Sequence, residues 1–154
     1  MTPPDIKTIP SIPLGLKANI DAVESDPEAE LLLFDGQPDI QRKMKKAFCE
    51  PGNISHCPPL AIAAEFVLPY SNEHTLTVAR KEENGGKLSF DTAANLTASF
   101  AEGNLHPGDL KPAVRDAADS VLKRVRDAVQ SDCDLSKALK EMEKVTKRMN
   151  AKKK

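Results

Sequence analysis

The chain has 154 residues and balances 22 lysines and arginines against 23 aspartates and glutamates, a net charge of −1. A composition that is 40% hydrophobic and 29% charged describes one globular domain, not a disordered segment. No apolar run approaches the ~20 residues of a membrane span, and Met1-Thr2-Pro3-Pro4-Asp5 has neither the basic nor the apolar region of a secretion signal.

Tryptophan is absent and only 4% of residues are aromatic, so Leu, Val, Ile and Ala must build the core. Cys49, Cys57 and Cys133 are an odd set without CxxC spacing, which fits a reducing cytosol better than a disulfide scaffold. The near-zero net charge hides an asymmetry. Residues 21–35 hold six acids and no base, whereas residues 137–154 hold eight bases and two acids. A basic end of this kind can attract a polyanion, form a solvated helix face or simply fray.

Residues 1–19 contain Pro3, Pro4, Pro10 and Pro13 and read as an extended lead-in. The apolar run Leu31-Leu32-Leu33-Phe34, stopped by Asp35-Gly36, predicts a short buried strand. A helix follows from about Pro38 to Phe48. Ile40, Met44, Ala47 and Phe48 form its inner stripe, Arg42, Lys43, Lys45 and Lys46 fill the other faces, and Pro51-Gly52 ends it. A second helix, apolar almost all round and therefore central, is expected from Pro58-Pro59 to Leu68, with Pro69 as its stop.

The period then shortens to two. Leu76 and Val78, then Leu88 and Phe90, alternate with polar or small residues around Gly85-Gly86, which predicts a small β-hairpin. Asp91 or Thr92 caps a third helix carrying Leu96 and Phe100, with Gly103 as its C-terminal stop. Asp109 is the expected N-cap of the longest helix, with Pro112 still in its first turn; Leu110, Val114, Ala117, Ala118, Val121, Leu122, Val125 and Val129 mark one continuous apolar face. A last helix starts near residues 131–134, with Leu135, Leu139, Met142, Val145 and Met149 as a thinner stripe. The fold class is thus mainly α, a bundle of about five helices with one small β-hairpin. Its parts are a lead-in over 1–36, a helical domain over 37–130 and a basic helix and tail over 131–154.

No catalytic constellation emerges: there is no GxSxG elbow, HExxH or P-loop. Cys49, His56 and Cys57 match no standard zinc spacing, and the acids of residues 21–30 lack the glycine and spacing of a calcium loop, so no metal site is expected.

Three collinear blocks carry a resemblance. Arg42-Lys43-Met44-Lys45-Lys46-Ala47-Phe48-Cys49-Glu50-Pro51-Gly52-Asn53, then Asn84-Gly85-Gly86, then Gly103-Asn104-Leu105-His106-Pro107-Gly108-Asp109-Leu110-Lys111 together resemble the C-terminal part of archaeal and eukaryotic-type tyrosyl-tRNA synthetases. The likeness extends over roughly residues 20–128. It implies a helical anticodon-binding domain whose partners are tyrosine tRNA and the remainder of the synthetase, in the cytoplasm and away from membranes.

It also implies that Asp109 reads the Watson–Crick edge of the first anticodon guanine, since a carboxylate can accept from the ring N–H and the exocyclic amine. Asp109 can serve as helix N-cap as well. His106 is either an RNA contact or a fixed loop histidine, Asn84 sits at the first anticodon base, and Lys81 and Lys111 meet backbone phosphates.

Two departures stand out. The family's aromatic before Gly-Gly is Asn84 here, which removes a stacking surface worth ~1–3 kcal/mol per base. Its Lys-Met-Ser-type loop, which binds ATP phosphates, has Asp21-Ala22-Val23-Glu24-Ser25 as its counterpart, and acids beside a triphosphate reverse the electrostatics. The expectation is therefore no catalysis and no cofactor on this chain, with ATP and tyrosine bound at a separate catalytic domain. The chain is similar to the degenerate, pseudo-subunit half of a double-length synthetase. The alternative is a structural half that packs on the synthetase without touching RNA.

Overall fold

The computed structural model describes Leu16 and residues 30–152. The proline-rich lead-in, the acidic counterpart of the Lys-Met-Ser loop and the side chains of the basic tail from residue 146 onward lie outside the described residues.

Five helices and a two-stranded antiparallel sheet make up the described fold. Helix α1 spans Gln37–Lys46, with Asp39 in its first turn and Lys43, Lys45 and Lys46 in its last, the distribution that the helix dipole favours. Ile40 and Met44 are buried as the spacing predicts. Lys43 is buried too, against expectation, because its ammonium meets both carboxylate oxygens of Asp35 at 2.8 and 2.7 Å.

The segment before α1 also departs from the sequence reading. Leu31 is buried, but Leu32, Leu33 and Phe34 are 42–49% exposed and form a turn instead of a buried strand. The turn is closed by the Asp35 N–H donating to the Leu32 carbonyl at 3.0 Å, and the Asp35 carboxylate accepts the Leu32 N–H at 2.8 Å. One carboxylate therefore both shapes the turn and neutralises Lys43.

Helix α2 starts at Pro58 as α-helix over Pro58–Ile62, widens to a π-turn over Ala63–Val67 and returns to α-helix over Leu68–Tyr70. Pro69 does not stop it. Proline has no N–H to give the carbonyl four residues back and its ring crowds that carbonyl. The π-turn relieves the conflict by passing the Leu68 N–H to the Ala63 carbonyl, five residues back. The helix ends two residues later than expected, where the His74 ring nitrogen Nδ1 meets the Leu68 carbonyl at 3.2 Å.

Strands β1 (Leu76–Val78) and β2 (Leu88–Phe90) pair in the register Leu76 to Phe90, Thr77 to Ser89 and Val78 to Leu88. Leu76, Val78 and Phe90 are buried and Thr77 and Ser89 exposed, the alternation expected of a half-covered hairpin. The connection holds a 3₁₀ turn over Glu82–Asn84, then Gly85 and Gly86, both at positive φ. Helix α3 (Ala93–Ala101) is capped by Thr92, whose hydroxyl accepts the Asn95 N–H, and is followed by Gly103 at φ +76°.

The long helix α4 runs Pro107–Ser131 and packs on α1, α2, β1 and the last helix, α5 (Cys133–Lys152). Of its expected face, Leu110, Val114, Ala118, Val121 and Leu122 are buried, whereas Ala117, Val125 and Val129 are half-buried. Its start differs from the sequence reading. His106, not Asp109, is the N-cap, and Pro107 takes the first helical position that its fixed φ suits. Asp109 thereby falls to the third position, and Pro112 lies inside the helix beyond its first turn. Asp132 separates α4 from α5 and accepts the N–H groups of Asp134 and Leu135.

Candidate nucleic-acid interface

Two grooves meet at Asp109. One, of about 440 Å³, lies between the Ser71–Ala79 segment and the first turns of α4, with Thr75, Thr77, Pro112 and Asp116 along its walls. The other, of about 870 Å³, is bounded by Arg80, Asn84, Gly85, Asn104 and His106. Asp109 lines both. Its backbone N–H donates to the His106 carbonyl at 3.0 Å, while no described residue hydrogen-bonds or pairs with its carboxylate. In the first turn of a helix, that free carboxylate is favoured by the dipole and still open to a ligand.

The loop before α4 is built to place it. His106 Nδ1 accepts the Gly108 N–H at 3.0 Å, so a neutral His106 ring carries its proton on Nε2, which faces outward as a donor. Gly108 leaves room for this cap: a Cβ there would stand 3.1 Å from His106 Nδ1, so the ring would have to give by a few tenths of an ångström. Gly103 supplies the left-handed backbone that turns the chain from α3 into the loop.

Arg80 ties the two walls of the larger groove together. Its Nε donates to the Gly86 carbonyl at 3.0 Å and its Nη1 to the Asn104 carbonyl at 2.7 Å. The hairpin connection carrying Asn84 is thus fixed to the loop carrying His106 and Asp109. Sequence reasoning missed Arg80. It lies two residues beyond the end of β1 and precedes Lys81, and nothing in the spacing says which of two adjacent bases turns into the groove.

Of the residues expected at the site, Asp109, His106 and Asn84 come together in the larger groove. Lys81 lies outside it, exposed and 3.4 Å from Glu83. Lys111 sits one position beyond Leu110 on α4 and reaches toward α1, its Nζ 3.4 Å from the Lys45 carbonyl. The larger groove therefore holds one carboxylate, one guanidinium, one imidazole, two side-chain amides and the Ser99 hydroxyl: hydrogen-bonding groups of both kinds in a concave wall. The smaller groove is more acidic, with Glu73 and Asp116 beside Asp109, and includes the Ser71 hydroxyl, which is buried with no partner among the described residues. Among the described residues no group of three or more His, Cys, Asp or Glu is placed to hold a metal ion, and His56 is exposed. No helix among them is long and apolar enough to cross a membrane.

The chain is homologous to part of the aminoacyl-tRNA synthetases. Within that class its relatives are the tyrosine-specific enzymes. It is 33% identical over 119 residues to cytoplasmic tyrosine–tRNA ligase 1 of Arabidopsis thaliana, covering 77% of this chain and 30% of that protein. It is 34% identical over 131 residues to the tyrosine–tRNA ligase of Aeropyrum pernix, covering 84% of this chain and 36% of that protein. The crystal structure of the Aeropyrum pernix tyrosyl-tRNA synthetase superposes with a TM-score of 0.70 at 29% identity, over 84% of this chain and 37% of that one. The chain thus spans about a third of the length of the relatives it matches. No protein-family model matches it.

Proposed function

We propose that this chain is the portion of a cytoplasmic tyrosyl-tRNA synthetase that holds the anticodon loop of tyrosine tRNA, while tyrosine is activated with ATP on another part of the enzyme. The observation that carries this reading is the free carboxylate of Asp109 at the head of α4, in a groove with His106, Asn84 and Arg80. Asp109 accepts from the N1–H and amino group of the first anticodon guanine. A contact of this kind discriminates by ~1–3 kcal/mol. The outward Nε2–H of His106 and the amide of Asn84 hydrogen-bond or flank the same nucleotide, and Lys81 and Lys111 meet phosphates. The domain works by differential binding, not by chemistry.

The test is equilibrium binding to tyrosine tRNA and to the same tRNA with its first anticodon guanine changed, at one fixed salt concentration because phosphate contacts dominate raw affinity. A loss of about tenfold or more on changing the base supports the reading, since 1.4 kcal/mol is a factor of ten. Equal affinity for both tRNAs overturns it.

A second reading, a degenerate half that packs on the rest of a double-length synthetase without RNA contact, has its own observation. Leu32, Leu33 and Phe34 at the start of the domain and Leu135, Met142 and Val145 on α5 are all large, apolar and exposed. Binding to neither tRNA, together with association with the remainder of the synthetase, would favour that reading.

A further inference from the structure

We propose that Cys49 and Cys57 are a modification site: a dithiol at the junction of α1 and α2 that a hydroperoxide converts to an intramolecular disulfide. Both are free thiols, and their Sγ atoms lie 3.2 Å apart. That is closer than van der Waals contact between two sulfurs allows without a shared proton. A disulfide needs the pair to move from 3.2 Å to ~2.05 Å, a shift that side-chain rotation can supply.

The chain between them is already folded for it. The Asn53 N–H donates to the Glu50 carbonyl at 3.2 Å and its side-chain amide to the Glu50 carboxylate at 2.9 Å. Asn53 Oδ1 then accepts the N–H groups of Ser55 and His56. Gly52, at φ +72°, gives the turn its left-handed step. The two thiols are therefore held together before any reaction, the condition under which an intramolecular step outruns an intermolecular one.

Reactivity is arranged as well. Either thiol can donate across the 3.2 Å contact; with Cys49 as donor, the bond lowers the Cys57 pKa against the opposing effect of burial, and the Leu60 N–H and the Lys111 ammonium lower it further. The same hydrogen bond, together with burial, raises Cys49, so the shared contact favours a single thiolate over two. The thiolate is the nucleophile in such chemistry. Cys49 is half-buried and Cys57 buried, leaving the pair open on one side to a small oxidant.

The reaction balances with the peroxide as oxidant. The Cys57 thiolate attacks one peroxide oxygen, the O–O bond breaks, and the released hydroxide takes a proton to become water. The Cys49 thiol, losing its proton, attacks the sulfur of the resulting sulfenic acid and expels a second hydroxide, which also leaves as water. The two sulfurs give up two electrons and the peroxide gains them. Cys133, exposed at the first position of α5, has no sulfur partner among the described residues and serves as internal control.

The experiment treats the whole chain with hydrogen peroxide, then alkylates it in denaturant and maps the peptides by mass spectrometry. Alkylatable thiols should fall from three to one, with Cys49 and Cys57 in one linked species two hydrogens lighter and with dithiothreitol restoring all three. The Cys133→Ser variant should retain the link, and Cys57→Ser should leave Cys49 unlinked. Recovery of both Cys49 and Cys57 in alkylated form after peroxide, or their appearance only in sulfinic form or in cross-linked dimers, would overturn the proposal.

Discussion

Replacing Lys43 by methionine should unfold this domain more readily than any change to its other basic residues. Lys43 is 2% exposed and Asp35 is 7% exposed, and the two share a pair of contacts at 2.8 and 2.7 Å. Methionine keeps the apolar stem but removes the charge. The Asp35 carboxylate is then left in the interior with the Leu32 N–H as its remaining hydrogen bond. Breaking a buried pair from one side destabilises by ~3–5 kcal/mol. A domain of this kind has ~5–15 kcal/mol in total, so the loss is a large fraction.

Urea unfolding followed by far-UV circular dichroism reads the effect directly. With a slope of ~2 kcal/mol per molar urea, the midpoint should fall by about 1.5–2.5 M. The double variant Asp35→Asn/Lys43→Met removes both charges, and an asparagine oxygen can still accept the Leu32 N–H. It should regain most of the lost midpoint, because a buried pair replaced on both sides is often neutral. A midpoint within about 0.5 M of the parent for Lys43→Met would refute the reasoning. So would a double variant as unstable as the single one, since the penalty would then not arise from an unpaired charge.

Other consequences follow from the site. Gly108→Ala brings a Cβ to 3.1 Å from His106 Nδ1 and should push the ring off the Gly108 N–H, weakening the cap of α4; the expected loss is up to ~0.5–2 kcal/mol, read as a lower melting temperature. Arg80→Ala unties the Asn84 connection from the Asn104 carbonyl; tyrosine-tRNA affinity should drop with little change in unfolding midpoint, and Arg80→Lys should not rescue it because one ammonium cannot span two carbonyls in fork geometry. Asp109→Ala should narrow the preference for guanine over another first anticodon base by about five- to 150-fold. Equal weakening toward every tRNA would assign Asp109 a phosphate-side or structural role instead.

What could be read from the sequence follows the physics of each element. The stripes of Ile40 and Met44, and of Leu110, Val114, Ala118, Val121 and Leu122, are set by a helical period that any amphipathic helix must keep, and all of these residues are buried. The alternation of Leu76 and Val78, and of Leu88 and Phe90, likewise predicts the register that β1 and β2 adopt. Pattern fails where one residue answers to a partner far away in the chain. Leu32, Leu33 and Phe34 look like a buried strand until Asp35 is seen to fold the turn on itself and reach for Lys43. A lysine among lysines gives no sign that it alone goes inside.

At the candidate site, the meeting of Asn84, His106 and Asp109 was anticipated from the resemblance, not from periodicity. The cap went to His106 because Pro107 claims the first helical position and the ring nitrogen of His106 can do what a carboxylate does. Arg80 was invisible because its two partners are backbone carbonyls, which every residue has.

The wide turn in α2 has a consequence for how this domain tolerates change in chain length. Over Ala63–Val67 the helix carries an extra residue per turn, so the segments on either side are out of phase by about 100° relative to an unbroken α-helix. Deleting one residue there would remove the wide turn and return Pro69 to conflict with the carbonyl four residues back, and it would rotate Leu68 out of the core and swing Ser71 and Asn72 around the axis. Those two residues form the wall that faces Asp109 across the smaller groove. The π-turn is therefore a phase setting: it fixes, from inside the core, the angle at which one side of the groove is presented.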